Sequence, residues 1–516
     1  MEITSTSSAM LLYAALFLAA LLYLAVVVRR GRGAGLPPGP TGLPLVGSLL
    51  SLDPDLHTYF AGLAARYGPI FSIRLGSKLG VVITSSALAR EVLRDHDLVF
   101  SNRDTPDAAR SISYGGGQNM VWNPIGPTWR LLRRISVHEM LSPAGLDNVH
   151  GLRSREFRAT LRHLHAQAGK PVDVGAQLFL TTMNVVTSTL WGSNLASESE
   201  RTVVGKEFRE LVADITEMLG APNVSDFFPA LAPLDLQGIR KKSDLLKDRF
   251  DEIFARIIQQ RTKSDQAAAG ETAADFLEYM LKLEKEGGDG KASFTMTNVK
   301  ALLMDFVVGG TETTSNTVEW AMAEMLQDRR TLRKVQEELD AVVGRDGVVE
   351  EHHLPQLHYL QLVLKETLRL HPALPLMVPH CPSEDATVGG HRVPAGSRVF
   401  VNVWAIQRDP AVWKDPEEFI PERFLQADGG GRRLDFTGSE QDYMPFGSGR
   451  RICAGIAMAE RMAAYSLAML LQAFDWELPA GAQLDMAERF AIVMKKATPL
   501  VAVPTPRLSK PELYSS

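Results

Sequence analysis

From Ala9 to Val28 the chain is apolar without interruption and carries no charge. At about 1.5 Å per helical residue, such a run reaches roughly 30 Å, enough to cross a bilayer core. Only Glu2 is charged ahead of it, whereas Arg29, Arg30 and Arg32 follow at once. A cleaved secretory signal has the basic residues in front and a shorter apolar stretch. Residues 9–28 are therefore predicted to be a transmembrane signal anchor, with the later chain on the cytosolic side. A basic and Pro-rich spacer, 29–45, comes next, and Pro37, Pro38, Pro40 and Pro44 favour stiff extended backbone there. Beyond it the periodicity changes. Ile70–Thr84 alternates around Gly76 and Gly80 as a hairpin does, and Ser397–Ile406 reads as a further strand. Asp244–Arg261 and Ser315–Gln327 show helical spacing, as does most of the remainder. Stretches such as SDQAAAGETAA, EKEGGDGKAS and QADGGGRR read as surface loops, too short for domain linkers. No repeat is visible. The prediction is one large domain over 46–505, mainly α with small β-sheets.

Composition changes little in that picture but narrows the chemistry. The 516 residues are 45% hydrophobic and 22% charged, ordinary for a chain with a sizeable core. A net charge of −5 gives no reason to expect nucleic-acid binding. The two cysteines, Cys381 and Cys453, are too few for a disulfide framework or a cysteine-built zinc site. Gly447 and Gly449 give G-x-G, but Ile452 stands where a dinucleotide fingerprint needs its third glycine. His163 and His165 sit two apart on a predicted helix and point in different directions. His352 and His353 fall in a polar loop, and no C-x-x-C-H occurs for covalent haem attachment.

What remains is Cys453, inside PFGSGRRICAGI. Arg450 and Arg451 are expected to favour its thiolate over a thiol whose unperturbed pKa is about 8.5. Small neighbours leave room for a flat ligand and for backbone N–H groups to face the sulfur. That suits a thiolate ligand to haem iron. A redox or nucleophilic cysteine fits the same residues nearly as well.

FGSGRRICAG resembles the haem-binding signature of cytochromes P-450, F-x-x-G-x-R-x-C-x-G, at Phe446, Gly449, Arg451, Cys453 and Gly455. KETLRLHP, with Glu366 and Arg369, FIPERF, with Arg423, and GGTETT, Gly309–Thr314, resemble three more of that family's motifs in the family's order. The resemblance extends from the anchor to about Pro499, and PPGPTGLPLVGSL looks like plant endoplasmic-reticulum members. It implies haem b, with Cys453 as the axial iron ligand. It also implies cofactor contacts from Trp129, Arg133, His380, Phe446, Gly447, Arg451 and Gly455. Glu366, Arg369 and Arg423 become a structural triad under the cysteine loop, and i,i+3 spacing does let the first two pair. Thr313 and Glu312 become catalytic, in oxygen activation and proton delivery. The Thr313 hydroxyl can return to the Gly309 carbonyl and loosen the helix there. Electrons come from NADPH through NADPH–cytochrome P-450 reductase, and Arg130, Arg134 and Arg450 are either a basic face for docking it or, equally, a solvated helix face. The location implied is the endoplasmic reticulum membrane, single-pass.

Asp305 lies eight residues before Thr313, with Gly309 between them, so all three share a helix face. Either the loop at Thr105–Ile125 satisfies its carboxylate, the preferred reading, or it binds a substrate hydroxyl or amine. Val308, Gly309, Leu376 and Ile492 are the other expected pocket residues, from segments rich in Val307, Leu374–Val378 and Phe490–Val493. The substrate expected is a hydrophobic small molecule, a terpenoid first and a flavonoid or phenylpropanoid second. A reductase-independent haem-thiolate isomerase or dehydratase shares the fold, but GGTETT argues for oxygen activation. A non-catalytic membrane scaffold would not need this residue set. Asn223-Val224-Ser225 is a glycosylation acceptor expected to stay bare on a cytosolic body.

Overall fold

One long helix, Met296–Gln327, organises the molecule. Its sequence is apolar nearly all round from Val299 to Leu326, and such a helix is stable only with neighbours on every side. Helices Val174–Trp191, His358–Leu370 and Ile456–Ala473 supply them, and together they form the main core. Thr295 starts the central helix with a capping box, its hydroxyl facing the Asn298 N–H while Asn298 Oδ1 accepts from the Thr295 N–H at 3.0 Å. The computed structural model describes residues 35–192, 198–265, 275–427 and 434–515, together with 14, 15, 17 and 18. The predicted anchor therefore lies almost wholly outside the described residues. Among the described residues no helix is long and apolar enough to cross a membrane.

The small sheets sit to one side. Strands Ile70–Leu75 and Lys78–Ile83 form the predicted hairpin, with Gly76 at φ +59° in its turn. Ser397–Ile406 is only partly strand: Arg398–Val401 runs parallel to Lys78–Ile83, after which Asn402 caps the helical turn Val403–Ile406. His380–Cys381 and then Asn102–Arg103 complete this five-stranded sheet, in which Arg103 lies opposite His380. That register brings a segment near residue 100 to the edge of the central cavity. The end of the Pro-rich spacer does not stand free. The Pro37 and Pro38 carbonyls accept from the hydroxyl and N–H of Ser72, at 2.8 and 2.7 Å.

Asn223 of the Asn-Val-Ser acceptor is 3% exposed, and its Oδ1 accepts from the Ser225 N–H at 3.0 Å.

Candidate active site

A cavity of about 340 Å³ lies between the central helix and the loop that carries Cys453. The loop is shaped by its glycines. Gly447 and Gly449 take left-handed φ of +78° and +69°, and a Cβ on Gly449 would stand 2.0 Å from the Leu93 carbonyl oxygen. A short turn over Gly449–Arg451 then directs Cys453 to the start of helix Ile456–Ala473. The Cys453 N–H donates to the Phe446 carbonyl at 3.0 Å, and the Gly455 N–H points at Sγ from 3.3 Å. Cys453 is exposed, but only toward the cavity, and protein surrounds it elsewhere. Burial pushes its thiol up, opposed by the Gly455 N–H and by Arg133. The expected help from Arg450 and Arg451 is absent. Arg450 pairs with Asp97 at 3.0 Å, and Arg451 turns to the carbonyls of Ser101 (2.6 Å), Met120 (3.0 Å) and Asn123.

Beneath the loop, Glu366 and Arg369 are wholly buried and joined by two 2.8 Å bonds. Arg423 adds a third, at 3.0 Å, to the same carboxylate. The remaining guanidinium hydrogens of Arg369 go to the carbonyls of Gln407, Pro416 and Glu418. Gln407, which the sequence did not single out, links this group upward by accepting from the Met444 N–H at 3.1 Å. Every donor is answered, so the loop rests on a rigid base.

The cavity wall differs in kind. Arg103, Arg133, Arg451 and His380 all face it, and among the described residues no carboxylate pairs with the three arginines. Burial depresses all four, to about 9 for Arg103 and about 10 for Arg451. Arg103 Nε is buried without a partner, although Nη1 donates to the Val378 carbonyl. His380 Nδ1 is 2.7 Å from the Phe100 carbonyl, which leaves its other nitrogen to the cavity side. Trp129 also lines the wall, but its indole N–H is taken by the Met120 carbonyl at 3.2 Å.

On the central helix the cavity stripe is Asp305, Phe306, Gly309, Gly310, Thr313, Thr314 and Thr317, the repeat of one helical face. The Thr313 hydroxyl donates to the Gly309 carbonyl at 2.8 Å, as the spacing predicts, while the helix continues unbroken. Nothing lies within 4 Å of a Cβ placed on Gly309, so the wall is open there. Asp305 accepts from the Asn119 amide at 2.8 Å and the Met120 N–H at 2.7 Å, which is the preferred reading of that residue. Burial still raises its carboxyl to about 7, because N–H donors alone offset the loss of water.

Four expected site residues stand elsewhere. Val308 and Glu312 fall on the helix side away from the stripe. Val308 packs into the helical core, and Glu312 pairs with Lys495, its second oxygen buried without a partner. Leu376 turns into an apolar cluster with Phe60, Phe71 and Phe400. Ile492 abuts Gly220, whose Cβ would stand 2.6 Å from the Ile492 nitrogen. Arg134 is likewise not a free surface cation, being bonded to Asp289 at 2.8 Å.

A family model described as cytochrome P-450 matches residues 37–503. The chain belongs to the cytochrome P-450 family. A flavonoid 3'-monooxygenase from Crocosmia x crocosmiiflora is 40% identical over 95% of this chain and 96% of its own. A geraniol 8-hydroxylase from Swertia mussotii is 38% identical over 94% and 96%. A carnosic acid synthase from Salvia pomifera is 38% identical over 92% and 94%. Among solved structures, a zebra fish cytochrome P-450 with progesterone aligns with a TM-score of 0.75 at 26% identity, covering 88% of this chain and all of that one. The chain is thus a haem-thiolate monooxygenase of the plant type. It uses haem b, a redox partner and a hydrophobic small-molecule substrate.

The residues fit the haem. A thiol opens into the cavity, glycines leave space above and beside it, and uncompensated cations flank it where two propionates would supply the missing negative charge. Arg103 was not legible from the sequence, because only a two-residue strand pairing brings it beside His380.

Proposed function

We propose that this cytochrome P-450 hydroxylates a terpenoid, with a flavonoid as the second reading because a flavonoid 3'-monooxygenase is among its similar relatives. The observation that carries the first reading is the apolar lining of the cavity that Thr313 shares. Val186, Phe306, Leu364, Leu374, Met377 and Val378 line it, and Asp305 is the carboxylate on its central-helix side. Such a wall binds by exclusion of water and offers few polar handles.

When bound, the haem supplies the reduction of O₂ and the insertion of one oxygen atom into the substrate. The chain supplies the rest. Cys453 would hold the haem iron through its sulfur, which the Phe446 and Gly455 backbone contacts orient. Arg103 and Arg133 would bind the propionates, His380 would join them only when protonated because its Nδ1 hydrogen goes to the Phe100 carbonyl, and Arg451 contributes charge while its hydrogens hold the neighbouring loop. Phe446, Gly447, Gly455 and Trp129 line the same cavity and would contact the haem. Thr313 is the hydroxyl at the reacting face: by releasing the Gly309 carbonyl it can donate a hydrogen bond into the cavity. Glu312 stands one residue behind, charged against Lys495, and serves proton supply from outside the wall. Residues 9–28 anchor the protein in the endoplasmic reticulum membrane. NADPH–cytochrome P-450 reductase delivers the electrons, and of the three arginines assigned to its docking Arg130 is the exposed one without a carboxylate partner among the described residues.

The test begins with the dithionite-reduced protein under carbon monoxide, beside Cys453→Ala. A strongly red-shifted Soret band in the native protein alone is expected. Turnover is then measured with NADPH and reductase on a monoterpene alcohol and on a flavonoid. Oxidation of the flavonoid alone replaces the first reading by the second, and product without NADPH overturns both.

A further inference from the structure

The Gln118–Asn123 loop is held from two directions at once. On the central helix, Asn298 donates to the Gln118 backbone and side-chain oxygens at 3.1 and 2.9 Å. One helix face further on, Asp305 accepts from Asn119 and from the Met120 N–H. On its other side the same loop receives cofactor-site residues. The Met120 carbonyl accepts from Trp129 and Arg451, and the Val121 and Asn123 carbonyls accept from Arg451. Arg451 also lies over the Trp129 ring, 4.9 Å from its centre. The Met120 peptide is therefore fixed at both ends, its N–H on Asp305 and its C=O on Arg451.

We propose that Asp305 is a positioning residue for the haem: through the Met120 peptide it sets the carbonyls that hold Arg451 and Trp129 at the cofactor. This rests on the reading of the cavity as the haem site. The role needs the carboxylate form, since a protonated carboxyl puts a hydrogen on an oxygen that must accept from an N–H. Its carboxyl sits at about 7, so the clamp weakens within the ordinary working range. Other titratable groups face the same cavity. The loop Gly117–Asn123 has no titratable side chain. Helices Val174–Trp191 and Phe276–Lys285 bring Val186 to the cavity and Phe276 against Phe306. Of the cavity-facing groups, His380 lies well below its usual range, and burial lowers Arg133 as well as Arg103, to about 9, and Arg451, to about 10. Glu460 and Cys453 also line the cavity, and burial raises both.

The measurement is transfer of haem from the purified holoenzyme to excess apomyoglobin, in wild type and in Asp305→Asn, between about pH 6 and pH 8.5. Asn mimics the protonated carboxyl in shape and hydrogen-bonding pattern. Near pH 8.5 the variant is expected to lose haem about tenfold faster, the worth of one charge-assisted bond. The ratio of the two rates should fall toward one near pH 6, as wild-type Asp305 takes up its proton. A general weakening of the fold would give a ratio that does not move with pH, and that result, or equal rates throughout, overturns the proposal. Asp305→Glu, which keeps the charge, should restore the pH-dependent difference from Asn if Asn alone folds poorly. Wild-type protein that takes up no haem would instead refute the reading of the cavity, a distinguishable failure.

Discussion

Two groups of buried arginines lie on either side of the cysteine loop, and they differ in what answers them. Below it, Arg369 and Arg423 share the Glu366 carboxylate and give their remaining hydrogens to main-chain carbonyls. Above it, Arg103, Arg133 and Arg451 face the cavity without a carboxylate among the described residues. Burial of a charge is tolerated only where something compensates it. The lower group is compensated by the chain and is structural. The upper group has main-chain carbonyls but no opposite charge until an anion arrives, so it is the part of the molecule built for a ligand. The same residue type thus does opposite jobs, and its partners show which.

Removing Glu366 attacks the lower group directly. Glu366→Ala strands two buried guanidinium groups and frees the Ile420 N–H that also donates to this carboxylate. A loss of about 3–5 kcal/mol is expected, a large part of a normal folding stability. The variant should accumulate poorly and show no thiolate-type band in the reduced carbonyl spectrum. A stable, haem-loaded Glu366→Ala would erase the distinction between the two groups.

Lys495 offers an intermediate case, one cation answering one carboxylate at the edge of the catalytic helix. Lys495→Met leaves Glu312, itself 7% exposed, with neither cation nor a bond to its second oxygen. The expected cost is about 2 kcal/mol in urea unfolding of the apoprotein, largely recovered in Lys495→Arg. If Lys495→Met is neutral, water already compensates Glu312 and the pair belongs with ordinary surface ion pairs.

These contrasts also explain what was legible in the chain. Cys453 with its glycines is contiguous, and Glu366 with Arg369 is one helical turn, so local spacing was enough for both. Helix spans and the hairpin followed from periodicity for the same reason. Arg103, Gln407 and Lys495 act through partners far along the chain, from some 40 residues for Gln407 to well over 100 for the other two, and no local pattern marks them. The misplaced residues share a cause. Val308 and Glu312 belong to the right helix but the wrong face, and Leu376 and Ile492 belong to segments whose neighbours reach the cavity while they do not. Arg450 and Arg451 adjoin Cys453 in sequence, yet the loop turns both guanidinium groups elsewhere. Adjacency gave their charge but not its direction.

Arg103 gives the smallest effect and the sharpest sign. In the apoprotein its guanidinium is buried beside Arg451, with Nε unanswered, and both conditions disfavour the charge. Its pKa is lowered relative to the unfolded chain, so ionisation opposes folding at every pH below the lowered value. Arg103→Met fills similar space without a charge, and the apoprotein is expected to gain about 1 kcal/mol in stability. The holoenzyme should change the other way, because a propionate loses its cation and haem is held less tightly. Urea unfolding of the apoprotein and haem transfer from the holoenzyme read the two halves separately. Destabilisation of the apoprotein would mean that Arg103 is already compensated by the chain and belongs with Arg369 and Arg423. Opposite signs in the two states are what a charge waiting for its counter-ion must produce, and a structural arginine cannot give them.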